Sequence, residues 1–427
     1  MRAQGRPGKA WLILALLFLF TLINFADKII VGLAGVLIIK DLGLTPTQFG
    51  QLGSAFFLLF SLSAIAIGFV VNRVKTKWVI AVLAAIWALT QFPMMGSIGF
   101  AGMLLSRVAL GAGEGPAFPV AIHAAYKWFP NEKRTLPSAV LSLGSAVGVF
   151  VAAPVLTYVI YHVSWHAAFG LLGIVGLVWV AVWLVVAEEG RIQIEPSHAS
   201  FRESCAAAMR PLRSSTMIGA CITGWVAYWG LALALTWIPT YASTVMHYSP
   251  ETIGYLTAIQ WLAGGLLVFG GGALSQWLKK RGSSSRRCRG VFGAACVAAG
   301  GVATIVMSHL EPGIAQMMLL VLGFGLPSVI FSLVPAMIGE IVPSAQRGAL
   351  LGINTAVITT AGLIAPFVMG KLIETAASAD AGYQTGMLWA GLLSIGGGLA
   401  GLLLLHPDAD AQKLGAAASL SAATETH

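Results

Sequence analysis

The chain predicts an all-α integral membrane protein with twelve spanning helices in two parallel six-helix repeats. Three observations predict it. Of 427 residues, 57% are hydrophobic and only 10% are charged, where a soluble domain carries about 25% charged residues. Long apolar runs recur, each able to cross the ~30 Å of a bilayer's hydrocarbon core. These runs also fall into two groups of six whose punctuation repeats in the same order.

Taken in order, charges, prolines and glycines bound the spans at about 11–38, 48–71, 77–97, 101–125, 135–161 and 166–187, then 216–245, 251–277, 289–308, 313–342, 347–372 and 382–405. The first run follows Arg2, Arg6 and Lys9, as a signal peptide would. It continues past Asp27 with no small-residue cleavage site, so it reads as an uncleaved helix. Residues 188–215 form the one long polar interruption, which divides the chain into bundles at 1–187 and 216–405 joined by a cytoplasmic linker. The Ala/Ser-rich tail, 406–427, reads as disordered.

Basic residues set the orientation. With the N-terminus inside, the inner segments collect Arg73, Lys75 and Lys77, then Lys127, Lys133 and Arg134, and a run from Lys279 to Arg289, while Lys40 and Lys371 remain outside. This asymmetry follows the positive-inside rule and places both termini in the cytoplasm. It also accounts for the net charge of +9 without a nucleic-acid partner, because these residues lie against anionic lipid headgroups. The four cysteines, Cys205, Cys221, Cys288 and Cys296, show neither metal-ligand spacing nor a disulfide framework. No nucleophile–base pair suggests an enzyme.

The halves are internal repeats. Leu44-Thr-Pro-Thr-Gln-Phe-Gly-Gln-Leu52 matches Tyr248-Ser-Pro-Glu-Thr-Ile-Gly-Tyr-Leu256 at an offset of 204. Pro130-x-x-x-Arg134 answers Pro343-x-x-x-Arg347, and each precedes a Gly/Ala-rich span that contains a proline, Pro154 or Pro366. Parallel repeats imply a pseudo-two-fold axis along the membrane normal and a substrate site near the midplane.

Within the apolar spans stand Asp27, Arg107 and Glu114. An ionisable group at this depth costs roughly 2.5–3.5 kcal/mol on insertion scales and marks ion or substrate routes. Asp27 lies ~24 Å into its helix from the inside and Glu114 ~20 Å from the outside, at 1.5 Å per residue, so the acids reach similar depths. Arg107 and Glu114 are seven residues apart and share a helix face. Whichever acid holds Arg107 stays ionised, and the other is poised to carry a proton. Lys28 adds a cation that either snorkels, pairs internally or anchors a substrate carboxylate. The alternative for the trio is a static ion pair, which leaves one acid unpaired.

At Arg107-Val-Ala-Leu-Gly-Ala-Gly-Glu114-Gly-Pro-Ala-Phe-Pro119, Ile23-Asn24-Phe25-Ala26-Asp27-Lys28 and Gly271-Gly-Ala-Leu-Ser-Gln-Trp-Leu-Lys-Lys-Arg-Gly-Ser283, the chain resembles the major facilitator superfamily. More narrowly it resembles the anion:cation symporter branch, which contains bacterial sugar-acid transporters and the sialin group. The resemblance spans about 10–405. It implies alternating access, proton coupling through Asp27, Glu114 and Arg107, and an anion held at Lys28, with H+ as coupling ion and no other cofactor. Several positions depart from the branch. Phe25 and Phe60 replace tyrosines, Lys28 an arginine, Ser145 a glutamine and Pro335 a tryptophan. Asn72 and Gln276 stand where the cytoplasmic gating motif has Asp. Fewer hydrogen-bonding side chains predict a preference for a monocarboxylate with few hydroxyls and an apolar or aromatic body over hexonates such as galactonate.

Other candidates have two readings each. Tyr228 and Trp229 suit a cavity wall or an interfacial belt. Asn354 and Thr359 suit substrate contacts or helix–helix hydrogen bonds. The glycines around Glu114 predict a thin or broken helix there, open to close approach by the first helix. The expectation is a monomeric, proton-coupled importer of a small organic anion in the inner membrane. The alternatives are a proton-driven exporter and a transport-silent sensor.

Overall fold

The computed structural model describes residues 7–71, 74–130, 133–190, 192 and 210–415. These are almost wholly helical, and among them there is no strand. In chain order the spans are α1 (Pro7–Leu33, continued by Gly35–Leu42), α2 (Pro46–Leu58, continued by Phe60–Val70), α3 (Thr76–Gln91), α4 (Phe100–Glu114, then Ala117–Tyr126), α5 (Thr135–His162) and α6 (Trp165–Val186). There follow α7 (Ser215–Thr236, continued by Ile238–Thr244), α8 (Pro250–Lys280), α9 (Phe292–Met307), α10 (Ile314–Gly325, ending as Ile330–Ile341), α11 (Ser344–Thr375) and α12 (Ala379–Leu404). Eleven of these are long and apolar enough by themselves to cross a membrane. The twelfth, α4, is broken at Gly115–Pro116. The break follows from proline, which has no N–H to continue the helical ladder. Large apolar side chains such as Leu105, Phe269 and Leu403 face outward, as helices in lipid require.

The described residues form two compact units, and these do not follow the division at 188–215. One unit holds the described residues within 1–196, 232–262 and 363–383; the other holds those within 197–231, 263–362 and 384–427. In the first, α1 packs along α5, α2 along α4, and α3 along α6. Close approach depends on glycine. A Cβ at Gly144 or Gly148 of α5 would run into Thr21 and Leu22 of α1. Gly111 and Gly115 of α4 face the carbonyls of Phe56 and Phe60. The glycines beside Glu114 therefore admit α2, and α1 is admitted by α5 instead. The expected partner was α1. The Gly111–Gly115 spacing is one helical turn and matches the Phe56–Phe60 turn facing it.

The first unit also contains contacts between repeats. Gly50 of α2 lies on the Pro366 carbonyl of α11, and Gly254 of α8 lies against Pro154 and Thr157 of α5. Gly50 and Gly254 are counterparts at the 204-residue offset. Trp237 Nε1 donates to the Pro366 carbonyl at 2.9 Å, Ser54 accepts from Phe367 N–H at 3.2 Å, and Glu374 accepts from Thr47 N–H at 3.1 Å.

At the helix ends that carry the basic loops, each repeat closes on an acid. Glu189, just after α6, accepts from the Thr76 N–H at 3.2 Å and hydroxyl at 2.8 Å, the Lys77 N–H at 3.3 Å and the Lys127 ammonium at 2.5 Å. Asp408, after α12, accepts from Ser285 N–H at 3.1 Å and Arg286 N–H at 2.8 Å, with Lys279 at 3.6 Å. Each carboxylate thus meets orphan N–H groups and the positive end of a helix dipole. Burial works against the charged Glu189, but the bonds from Lys127, Thr76 and Lys77 outweigh it and hold its carboxyl below the usual range. Asp408 shows the same direction and balance. The tail differs from expectation. Residues 407–415 are helical, because Asp410 is buried and caps α7 through the Thr216 N–H at 2.8 Å and hydroxyl at 2.6 Å. Residues 416–427, most of the 188–215 linker, Asn72 and Cys205 lie outside the described residues. The other three cysteines are free thiols.

Candidate functional site

Asp27 and Lys28 lie near the end of a long apolar helix, and Arg107 and Glu114 two turns apart on α4. Packing of α4 on α2, and of α1 between α5 and the other helices, brings these charges together in the first unit. All four are buried, Asp27 and Glu114 to 1% exposure. Lys28 Nζ lies 3.3 Å from Glu114 Oε2. Neither Glu114 oxygen has an aligned hydrogen bond, so this is a close ion pair without a directed bond. The Lys28 ammonium donates to Asn24 Oδ1 at 2.5 Å, one turn back on α1. It stands 4.2 Å above the centre of the Phe25 ring and 5.7 Å from that of Phe60. Cation–π attraction of this kind is worth about 0.5–2 kcal/mol, more as water is removed. Trp261 of α8 meets the Phe25 ring edge-on at 5.8 Å, and its indole N–H is buried without a partner.

Asp27 interacts electrostatically with Glu114, Arg107 and Lys28, yet neither of its oxygens accepts a hydrogen bond. Arg107 differs from expectation. No described carboxylate lies within salt-bridge distance of it, its Nε and Nη1 have no partner, and its guanidinium stands 5.0 Å from the Phe56 ring. The reason is reach: Arg107 is seven residues, about 10 Å, along the helix from Glu114, whereas the flexible Lys28 stem crosses directly from α1.

The remaining predicted residues make contacts within their own helices or with neighbouring ones. Ser145 of α5 donates its hydroxyl to the Ser142 carbonyl at 2.7 Å, so its one donor is used within its own helix. Tyr228, Trp229, Asn354 and Thr359 belong to the second unit. There Tyr228 packs on Phe331 at 6.2 Å and Trp229 on Trp225 at 5.2 Å. Asn354 Nδ2 donates to Cys221 Sγ at 3.6 Å, and Thr359 donates to the Thr355 carbonyl at 2.8 Å. Pro335 lies inside the last segment of α10, and Gln276 is exposed. Sequence reasoning missed Asn24 and Trp261. Asn24 had a signal, its spacing of four from Lys28; Trp261 had none.

Helix order, the repeat contacts and a buried charge cluster converge on one architecture, and comparison decides it. The sequence profile described as Major Facilitator Superfamily matches residues 16–330. The chain belongs to the major facilitator superfamily. It is 25% identical to a hexuronate transporter of Bacillus subtilis, covering 91% of each chain. It is 28% identical to a probable sulfoacetate transporter of Cupriavidus necator, over 95% of this chain and 96% of the other. Among solved structures, a bacterial homologue of the human lysosomal transporter Spinster superposes with a TM-score of 0.78 at 17% identity, over 94% of this chain and 98% of that one. A D-xylose–proton symporter gives 0.75 at 14%, over 92% and 98%. This superfamily member is thus a multi-pass membrane transporter and not an enzyme.

Proposed function

We propose that this transporter carries a small organic anion together with protons, by alternating access, into the cytoplasm across the plasma membrane. The observation that carries the reading is the Lys28 ammonium, buried near the Phe25 and Phe60 rings and 3.3 Å from Glu114. An ammonium so placed is an anchor for a carboxylate or sulfonate. Relatives described as transporters of hexuronate and sulfoacetate support that class. Asp27 is the proposed proton carrier in the described arrangement, since a buried carboxylate with neither oxygen paired is costly as an anion. Glu114, already beside Lys28, is the proposed second acid, and it releases Lys28 when an anion binds. Arg107 then pairs with a freed acid in another state. The Phe25 and Phe60 rings favour an anion with few hydroxyls. The basic loops support an orientation with both termini in the cytoplasm, and the proposed working unit is a monomer.

The test is uptake by proteoliposomes with the outside acidified, using radiolabelled sulfoacetate and glucuronate. Uphill accumulation that vanishes when the proton gradient is collapsed supports the reading. Accumulation that persists without the gradient, or that Na+ alone drives, overturns proton coupling.

A further inference from the structure

Asn24 and Lys28 lie one turn apart on α1 and share a hydrogen bond. The Asn24 carboxamide is buried, at 3% exposure. Its orientation is fixed chemically: the atom 2.5 Å from the Lys28 ammonium must be the oxygen, because an ammonium has only donors. The amide nitrogen is therefore the other polar atom of the same planar group. That Nδ2 is buried and has no hydrogen-bond partner. A buried donor left unpaired is costly, so the position favours a ligand atom that accepts from it. Lysine alone offers a point charge, while the planar fork of arginine offers two parallel donors to an oxyanion. Here a positive donor and a neutral donor are carried four residues apart on one helix face, joined by the bond from Lys28 to Asn24 Oδ1.

We propose that Asn24 is a substrate-contacting residue whose Nδ2 donates to one oxygen of the bound anion while Lys28 holds the other, so that the two side chains together do the work of a guanidinium. The ligand class is an oxyanion with at least two equivalent oxygens, a carboxylate or a sulfonate. The inference rests on the organic-anion reading of the site and adds a residue to it. It also gives Asn24 a second task. By accepting from Lys28 it keeps the ammonium over the Phe25 ring whether or not Glu114 is paired with it.

The experiment uses the full chain. Thermal shift of the purified parent protein against sulfoacetate, glucuronate, glucarate and benzoate selects the acid that stabilises it most. Uptake of that acid into proteoliposomes then gives KM and maximal rate for each variant. Asn24→Ala is expected to raise KM about tenfold or more, the scale of a hydrogen bond to a charged group. Asn24→Asp keeps an acceptor for Lys28 but loses the donor, and it is expected to raise KM at least as much. Lys28→Arg in the Asn24→Ala background is expected to recover most of the loss, since the guanidinium brings the second N–H itself. A parental KM in Asn24→Asp, or no gain from Lys28→Arg in the Asn24→Ala background, overturns the proposal while parent binding stands. If none of the four acids stabilises the parent, the organic-anion reading fails and the inference falls with it.

Discussion

Replacing Lys28 by methionine removes the charge and keeps most of the side-chain volume. In the structure this leaves Glu114, at 1% exposure, without the ammonium 3.3 Å away, and leaves Asn24 Oδ1 without its donor. Breaking one partner out of a buried ion pair costs about 3–5 kcal/mol, because the remaining charge stays desolvated. Glu114→Gln alone strands the ammonium in the same way, though Asn24 and the Phe25 ring still hold it, so a smaller loss is expected. The double variant Lys28→Met/Glu114→Gln removes both charges and is expected to regain much of the stability lost by Lys28→Met. The assay is unfolding free energy in mixed micelles at pH 7 for the four corners of the cycle. A direct pair should couple by more than about 0.5 kcal/mol, the margin within which independent sites add. Additive losses would refute the reasoning and mean that the Lys28–Glu114 contact contributes nothing as an interaction.

Three more outcomes are expected. Asp27→Asn should abolish uphill uptake in proteoliposomes and keep substrate exchange; unimpaired accumulation would remove Asp27 from proton coupling. Glu189→Gln should lower the melting temperature at pH 7 and do so less as pH falls below about 4.5, the ordinary value for its carboxyl. A group depressed in the folded state contributes stability above its unfolded value and loses it as pH falls through the folded one; an equal loss at both pH values would contradict this. In competition assays sulfoacetate and benzoate should inhibit uptake more strongly than galactonate, since unpaired hydroxyls between Phe25 and Phe60 cost ~1–3 kcal/mol each; the reverse order would show that polar groups elsewhere, such as Asn354 and Thr359, line the site.

The spans were legible because lipid leaves a helix few ways to satisfy its backbone, so apolar runs and their punctuation report them directly. The break at Gly115–Pro116 was legible for the same local reason. The buried charges were legible as a set, since an ionisable group in such a run is conspicuous. Their pairing was not. Helix periodicity set Arg107 over Glu114, but pairing depends on which helices the glycines admit and on how far a side chain reaches, and Lys28 came from another helix. The tail misled because its composition is that of a solvated segment, while Asp408 and Asp410 are held by helix N-termini far away in sequence.

The two glycine–proline crossings are reciprocal. Gly50 of the first repeat lies on Pro366 of the second, and Gly254 of the second lies on Pro154 of the first. Residue i meets j′ while i′ meets j, which is the contact rule of a self-complementary two-fold dimer. Two six-helix units related by a two-fold axis, each bearing one such glycine and one such proline, present this same pair of contacts to each other. Joining two copies in tandem would leave that interface intact, so each half retains a stretch of surface already shaped to receive its twin.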